Sequence, residues 1–184
     1  MAHGPLPPFS SDGLLPPGIY PLTLAGLRSS FLVTGDRVAS RTWDEAWRGQ
    51  LVDNLGTLAG QLWTVGITDI FVDGSFVEEK DHPNDIDGYF TVDLRRVVSS
   101  NLERDLNALD PHQIWTWDHG ARRPAPGKAH PQLPMWHQYR VELYPDYGQK
   151  FTLPSGALAV PEFFQQTRQR QPKGVVRLLR EEAA

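Results

Sequence analysis

Hydrophobic residues recur at helical spacing between residues 42 and 65. The spacing is three or four positions, as in one face of a helix, at Trp47, Leu51, Leu55, Leu58, Leu62 and Val65. Thr42 and Glu45 have the spacing of a capping box, and Gly66 is a common residue just beyond a helix end. The pattern therefore predicts one long amphipathic helix.

Short β-branched and aromatic runs predict strands. Residues 67–73 form the first run and residues 85–92 the second, and the loop through Pro83 between them favours an antiparallel pair. A third strand is predicted over residues 136–144, before a turn sequence at 145–148, with a further short strand over residues 114–117.

Two more segments predict helices. Ser100 and Glu103 repeat the capping-box spacing and predict a helix over residues 100–109. Residues 161–182 predict one or two helices because apolar and basic residues segregate there. Together the elements predict an α/β or α+β fold, with a small mixed sheet and helices mainly on one face.

The distribution of proline divides the chain. Six of the sixteen prolines lie in the first 21 residues, which predicts an irregular N-terminal strap over residues 1–35. The main domain is expected over residues 36–160, and the helical segment over residues 161–184 is expected to pack on that same domain.

Composition removes several classes of function. The chain has no cysteine, which excludes disulfides, zinc fingers, iron–sulfur clusters and a thiol nucleophile. A net charge of −4 argues against a surface that holds nucleic acid throughout, although a local basic patch is compatible with it. There is no long apolar run and no signal-peptide pattern, so we expect a cytoplasmic protein without a membrane span.

The segment FVDGSFVEEKDHPNDIDGYF, residues 71–90, carries the most specific chemistry. A predicted strand ends in Gly74-Ser75, and the next strand opens with Asp85 and Asp87, which share a face because side chains alternate. Two carboxylates this close repel each other, and a divalent cation such as Mg²⁺ would offset the repulsion. Gly74 and Ser75 suit phosphate oxygens, and Lys80 either neutralises phosphate or is simply solvated.

This arrangement resembles the signature of the nucleotidyltransferase superfamily to which DNA polymerase beta belongs. That signature is a Gly-Ser or Gly-Gly pair followed by Asp, a hydrophobic residue and Asp or Glu. The wider order of LLPPGIYP, a long helix, DGSF and PNDIDG is similar to small, largely uncharacterised bacterial proteins of this type, and the resemblance spans residues 1–95. It implies that residues 36–160 form a minimal nucleotidyltransferase-like domain.

The resemblance also implies an activity. A nucleoside monophosphate would pass from a nucleoside triphosphate to a hydroxyl of a protein, an RNA or a small molecule, with Mg²⁺ or Mn²⁺ as cofactor. Bacterial proteins of this general type include components of toxin–antitoxin and phage-defence systems, so a toxin or antitoxin partner is among the expectations.

A third carboxylate is expected on a later strand. Alternation in RVELYPDY places Arg140, Glu142 and Tyr144 on one face, so Glu142 can complete a metal site with Asp85 and Asp87. The family more often has Asp at this point, and Asp146 is the reserve candidate. Gly74, Ser75 and Lys80 are the expected phosphate-binding residues.

Residues 111–134 hold five prolines together with Arg122, Arg123 and Lys128, which predicts a basic loop before the third strand. We expect Arg122 to His130 of this loop to position the triphosphate or the acceptor, and the alternative is a solvated surface loop.

Two other interpretations stay open. Asp85 and Asp87 could be a turn-capping residue and a solvent-facing strand residue. The chain could also be a non-catalytic module on a degenerate nucleotidyltransferase fold, which binds a nucleotide or a protein partner.

Overall fold

Strands and short helices alternate along the chain in the computed structural model, which describes residues 6–36, 40–153 and 156–181. The strands are β1 Ile19–Thr23, β2 Ile70–Asp73, β3 Ile86–Thr91, β4 Val141–Asp146, β5 Lys150–Leu153, β6 Gly156–Ala159 and β7 Val175–Leu179. The helices are α1 Leu24–Arg28, α2 Phe31–Thr34, α3 Glu45–Thr64, α4 Leu94–Val98, α5 Asn101–Asn107, α6 Pro134–Tyr139 and α7 Val160–Phe164. Short 3₁₀ turns cover Gly74–Val77 and His119–Ala121.

A five-stranded mixed sheet organises these elements. Its strand order is β1-β7-β2-β3-β4, and β5 and β6 form a separate antiparallel pair. β1 is parallel to β7 and β3 is parallel to β4, whereas β2 runs antiparallel to both of its neighbours. The predicted mixed α+β fold is confirmed, as is the antiparallel pairing of β2 with β3.

The main core lies between this sheet and the long helix α3. Alternate sheet residues such as Ile70, Phe90 and Leu143 point to the helical side, where they are buried in one cluster with Leu55 and Leu62 of α3. Most of the helices contribute to this side. No helix in the described ranges is long and apolar enough to cross a membrane.

An aromatic cluster covers part of the opposite face. Phe71 of β2 stacks on Tyr89 of β3 with ring centroids 4.6 Å apart, and Phe164 of α7 packs against Tyr89 at 5.3 Å. Tyr144 of β4 joins the same cluster. On β2 this cluster ends at Phe71, two residues before Asp73, so the last residue of that strand lies beyond it.

The predicted long helix is confirmed, but its N-terminal cap differs. Asp44 is the capping residue, and its carboxylate accepts a hydrogen bond from the Trp47 amide at 2.9 Å. The Thr42 hydroxyl instead donates to Asp81. A helix is also found in the predicted 100–109 segment, although the Ser100 side chain does not cap it.

The strand predicted over residues 136–144 is wrong in its first half. Pro134 begins α6, a position in which proline is favoured because it needs no hydrogen-bond donor there. Arg140 ends that helix with φ of 55°, and β4 begins only at Val141. Residues 114–117 are also not a strand.

The helical C-terminal segment expected over residues 161–184 is also corrected. Within its described part, up to residue 181, only α7 is helical, and the chain then returns as β7, between β1 and β2 in the main sheet. Val176 and Leu178 are buried in the core, whereas the guanidinium of Arg177 between them pairs with Asp69 at 2.6 Å. Side chains that alternate between two faces in this way are typical of a strand. Residues 182–184 of that prediction lie outside the described residues.

The N-terminal strap is likewise more regular than expected. It contributes β1 to the sheet edge, followed by α1 and α2, while Leu6 and Leu15 are buried in the main core. Residues 1–5 lie outside the described residues. Because β1 and β7 pair with each other, both ends of the described chain are built into the same sheet as the central segment.

Arg48 of α3 is fully buried and binds the chain that follows β2. Its guanidinium donates to four carbonyl oxygens, those of Leu32 (2.7 Å), Phe76 (2.7 Å), Glu78 (3.1 Å) and Lys80 (2.6 Å). Burial lowers the pKa of Arg48 to about 9, which leaves it charged at neutral pH. The charge-assisted hydrogen bonds attach residues 76–80 to the helix.

Replacement of Arg48 by Met should therefore destabilise the protein strongly. Two buried carbonyl groups and two partly buried ones would lose their donor. Each buried group left without a partner costs roughly 1–3 kcal/mol, so we expect a loss of at least about 3 kcal/mol in the free energy of unfolding. Urea denaturation measures this. The control is Arg104→Met at an exposed position, expected within about 0.5 kcal/mol of wild type. An Arg48→Met protein of wild-type stability would contradict the role given to this residue.

Candidate functional site

The turn after β2 brings the backbone against Asp87. Gly74 has φ of 76°, in the left-handed region, and a Cβ atom at this position would lie only 2.5 Å from Asp87 Oδ2. Both facts require glycine. Gly74 and the partly exposed Ser75 thus begin a 3₁₀ turn directly beside a carboxylate, as the sequence predicts.

Three carboxylates lie side by side on adjacent strands. The strand register pairs Asp73 of β2 with Asp87 of β3, and pairs Asp87 with Glu142 of β4. All three point to the sheet face opposite α3, because their neighbours along each strand are the core residues. We call Asp73, Asp87 and Glu142 the acidic row.

Asp85 adds a fourth carboxylate at the start of β3. It is buried, and its Oδ2 accepts a hydrogen bond from the Trp136 indole at 2.6 Å and contacts the Lys128 ammonium. Trp136 belongs to α6, the helix that replaces the first half of the predicted strand. Asp85 is therefore held in place from α6 and from the loop before it.

The four carboxylates interact electrostatically, and the effect is largest at Asp87. Burial is the main cause that raises the pKa of Asp87 well above the usual range of an aspartate. The next causes are the neighbouring charges, in the order Asp85, Glu142 and Asp73. The predicted residues Asp85, Asp87 and Glu142 are thus brought together.

Glu142 lies on the same sheet face as Asp73 and Asp87, as the alternation predicts, although β4 begins later than expected. It is buried, and its Oε1 accepts a hydrogen bond from the Leu133 amide at 2.7 Å. The Tyr144 hydroxyl donates to its Oε2, and Arg122 Nη1 lies 3.7 Å from Oε1. Both carboxylate oxygens therefore have protein partners.

Asp73 and Lys173 are the members of the site that the sequence does not reveal. Asp73 is buried, and burial raises its pKa to about 7 against the opposing charge of Lys173. Lys173 Nζ lies 3.2 Å from Asp73 Oδ1, an ion-pair distance, but the two atoms do not have hydrogen-bond geometry. Lys173 Nζ donates hydrogen bonds to Glu78 Oε1 at 2.7 Å and to the Gly74 carbonyl at 3.1 Å. Lys173 thus fixes the turn from just before β7.

The other candidates are spread more widely. Lys80 has an exposed side chain on the segment that follows the 3₁₀ turn, and its carbonyl binds Arg48. Asp146 lies at the far end of β4, four residues beyond Glu142 and paired with Thr91. Its carboxylate accepts a hydrogen bond from the Gly148 amide at 3.1 Å. Asp146 is therefore not part of the acidic row.

The basic loop, residues 122–132, lies over one side of the site. Arg123 and Gln132 exchange backbone hydrogen bonds of 2.9 and 2.8 Å at its base, and a turn at Gly127 presents Lys128. Lys128 contacts Asp85, and Arg122 contacts Glu142 and Tyr144. Of the three basic residues that define this loop in the sequence, Arg123 has an exposed side chain and the other two reach the carboxylates.

The residue types fit Mg²⁺ or Mn²⁺, because both ions prefer carboxylate oxygens and the charges around Asp87 repel one another. As the side chains stand, no three Asp, Glu or His side chains in the described ranges are grouped around one point closely enough to hold a metal ion. Asp85 instead turns its Oδ2 to Lys128 and Trp136, and Glu142 turns its two oxygens to Leu133 and Tyr144. Binding of a cation at any of these three oxygens would therefore need an exchange of partners.

Stability should depend on pH through Asp73 and Asp87. Folding raises the pKa of both carboxyls, so between about pH 4 and 7 the folded state binds more protons than the unfolded state, and these groups make the free energy of unfolding fall as pH rises. Asp87→Asn removes one of them. In thermal unfolding at pH 8 without divalent cations, we expect its melting temperature to equal or exceed that of wild type.

The control for this measurement is Asp12→Asn at an exposed position, which should leave the pH dependence of the melting temperature unchanged. A strong loss of stability in Asp87→Asn at pH 8 would instead make Asp87 a structural hydrogen-bond acceptor.

Comparison with known proteins gives one match. A family model described as a family of unknown function, DUF6932, matches residues 7–179, which is nearly all of the chain. No curated protein and no solved structure matches significantly. The resemblance to nucleotidyltransferases therefore stays a hypothesis that depends on the residues of the site. The chain belongs to the DUF6932 family, whose function is unknown.

Proposed function

We propose that this protein is a metal-dependent nucleotidyltransferase, which moves a nucleoside monophosphate from a nucleoside triphosphate to a hydroxyl. The observation that carries the proposal is the acidic row, with Asp85 at its side, next to the Gly74-Ser75 turn. The resemblance in sequence rests on the same residues. If the likeness to the nucleotidyltransferase signature were due to chance, there would be no reason for these residues of β2, β3 and β4 to lie side by side.

Asp85, Asp87 and Glu142 are the proposed metal ligands. When bound, the divalent cations would lower the pKa of the acceptor hydroxyl and stabilise negative charge on the departing pyrophosphate. Asp87 is central, because it is paired in register with both Asp73 and Glu142. Asp73 is held by Lys173 and keeps the turn in place, so we assign it a supporting role.

The proposed phosphate site is the turn beside Asp87. Backbone N–H groups of a tight turn can bind phosphate oxygens, and Ser75 adds a hydroxyl. Lys80 follows on the same segment and can reach solvent, where a triphosphate would approach. Arg122 adds positive charge on the side of Glu142, and such charge favours a transition state with developing negative charge.

The acceptor is proposed only as a class: a hydroxyl on a protein, an RNA or a small molecule. A toxin, an antitoxin or another phage-defence component as partner belongs to the proposal through the resemblance alone. We also propose a cytoplasmic location, where nucleoside triphosphates and Mg²⁺ are both supplied.

A second candidate function is favoured by one observation. Both carboxylate oxygens of Glu142 already have protein partners in Leu133 and Tyr144, and Asp85 Oδ2 has two, Trp136 and Lys128. A site with its carboxylates satisfied in this way is compatible with a non-catalytic module that binds a nucleotide or a protein partner.

Calorimetric titration with each nucleoside triphosphate, with and without Mg²⁺, followed by a pyrophosphate-release assay, separates the two functions. The nucleotidyltransferase should bind a triphosphate in a Mg²⁺-dependent way and release pyrophosphate in the presence of cell lysate as acceptor source. Asp87→Asn should lower that release by at least about a hundredfold, since it removes a central ligand charge, and Asp12→Asn should not.

Binding of a triphosphate without pyrophosphate release would support the non-catalytic module. If no triphosphate binds under either condition, both functions are wrong in their nucleotide-dependent form.

Arg122 and Arg123 offer a matched test of the basic loop. They are adjacent, but only the first is seen in contact with Glu142 and Tyr144. Arg122→Ala should weaken triphosphate binding severalfold, with a larger effect at low salt because the interaction is electrostatic. Arg123→Ala should change it much less. Equal effects of both substitutions on the dissociation constant at every salt concentration would mean that the loop acts only through its general charge.

A further inference from the structure

Lys128 holds an unusual position for a lysine of a surface loop. Its ammonium contacts Asp85 Oδ2, and its side chain is only 20% exposed while that of Asp85 is 7% exposed. The same ammonium lies 5.3 Å from the centre of the Trp136 ring, and the Trp136 indole donates to the same carboxylate oxygen. Ordinary surface ion pairs are neither this buried nor shared with a tryptophan.

The loop around Lys128 is shaped to deliver it there. The paired backbones of Arg123 and Gln132 close the base, and the Lys128 amide donates to the Ala125 carbonyl at 3.2 Å across the tip. Gly127 in that tip has φ of 73°, a conformation that glycine adopts without strain. Lys128 directly follows this turn, which directs its side chain back to the site.

The two lysines of the site differ in how firmly they are attached. Lys173 is 4% exposed in its side chain and is held by oxygens of Asp73, Glu78 and Gly74. Lys128 contacts Asp85 from the tip of a loop. A Cβ atom added at Gly127 in that tip would meet no other atom within 4 Å, so the tip is not packed against the rest of the protein there. Withdrawal of Lys128 therefore breaks one ion pair and one contact with the Trp136 ring.

We propose that Lys128 and a divalent cation compete for Asp85, so that the basic loop regulates access to the acidic row. Binding of the cation would release Lys128 from Asp85 and leave its ammonium free to meet the phosphates of the incoming substrate. This inference rests on the proposed function, because it takes the acidic row as the place where the cation binds.

Competition follows from the geometry at Asp85. An ammonium within hydrogen-bond distance of a carboxylate oxygen excludes a cation from that oxygen, and the two positive charges would repel each other if both were present. Lys128 carries one positive charge, whereas Asp85 lies beside the three carboxylates of the acidic row, so the lysine offsets the negative charge only in part. A doubly charged ion would offset more.

The first test measures binding of Mn²⁺ alone by the electron paramagnetic resonance signal of free Mn²⁺. Lys128→Ala should tighten binding by about tenfold, because a positive charge a few ångströms from the ion is removed. Lys150→Ala, at an exposed position on β5, is the control and should leave the affinity unchanged. Lys128→Gln keeps part of the side-chain stem over Trp136 but removes the charge, so it should also tighten Mn²⁺ binding.

A double-mutant cycle ties the effect to Asp85. Asp85→Asn removes the charge for which Lys128 competes and keeps a side chain that can accept from Trp136. In that background, Lys128→Ala should change the Mn²⁺ dissociation constant by less than about twofold. A tenfold gain that persists without the Asp85 charge would overturn the proposal, since the lysine would then act by general electrostatics.

The second test follows the loop by limited trypsin digestion. The bond after Lys128 should be cut slowly in NaCl and several times faster in Mg²⁺ at equal ionic strength, because release exposes the lysine. Cutting after Arg168, at an exposed position, is the internal control and should not change. Equal rates after Lys128 in the two salts would overturn the release of the loop.

The outcomes separate this inference from the proposed function. If wild type and Lys128→Ala bind Mn²⁺ with equal affinity, the competition is wrong while the metal site stands. If neither protein binds Mn²⁺, the competition and the metal-dependent function both fall. Tighter binding in Lys128→Ala that depends on Asp85 supports both.

Discussion

The candidate site depends on one buried cation, Arg48. Its guanidinium binds the carbonyls of Phe76, Glu78 and Lys80 and so attaches the chain after β2 to the long helix. The Gly74-Ser75 turn immediately precedes this segment and lies against Asp87 without room for a Cβ atom. A shift of the segment would separate the turn from the carboxylates. The position of a polar site is thus set from the core side of the sheet.

Repulsion between like charges is the second constraint. Packing of Asp73, Asp87 and Glu142 side by side costs free energy, because burial and then the neighbouring charges raise the pKa of Asp87. The fold offsets part of the cost with Lys173 beside Asp73, Lys128 on Asp85 and Arg122 near Glu142. These cations come from two parts of the chain, the basic loop and the segment just before β7. Buried like charges that lower stability in this way are typical of functional sites.

Local signals allowed much of this site to be predicted. The helical period identifies α3, and the alternation of side chains places Asp87 and Glu142 on one face even though the start of β4 was wrong. The sheet face predicted for Glu142 is correct because it depends only on alternation with Val141 and Leu143, and both residues lie in the observed strand. Pro134 and the spacing of Met135, Trp136 and Tyr139 are helix signals that the β character of the neighbouring residues masked.

The remaining features come from long-range pairing, which a single sequence does not display. β7 carries an apolar and basic pattern that is equally typical of a surface helix, and its place between β1 and β2 decides its conformation. Asp73 enters the acidic row only through its register with Asp87. Lys173 contacts the Gly74 carbonyl across a sequence separation of 99 residues, and nothing local to either residue announces that contact.

The central claim is that the acidic row and the adjoining turn hold divalent cations and a nucleoside triphosphate. A crystal structure with Mg²⁺ and a triphosphate analogue that resists transfer is the most direct measurement. The account predicts metal density bridging Asp87 and at least one of Asp85 and Glu142, with phosphate oxygens on the Gly74-Ser75 turn and Lys128 turned away from Asp85. A nucleotide bound elsewhere on the molecule, or phosphates at the turn with no cation on Asp87, would contradict it.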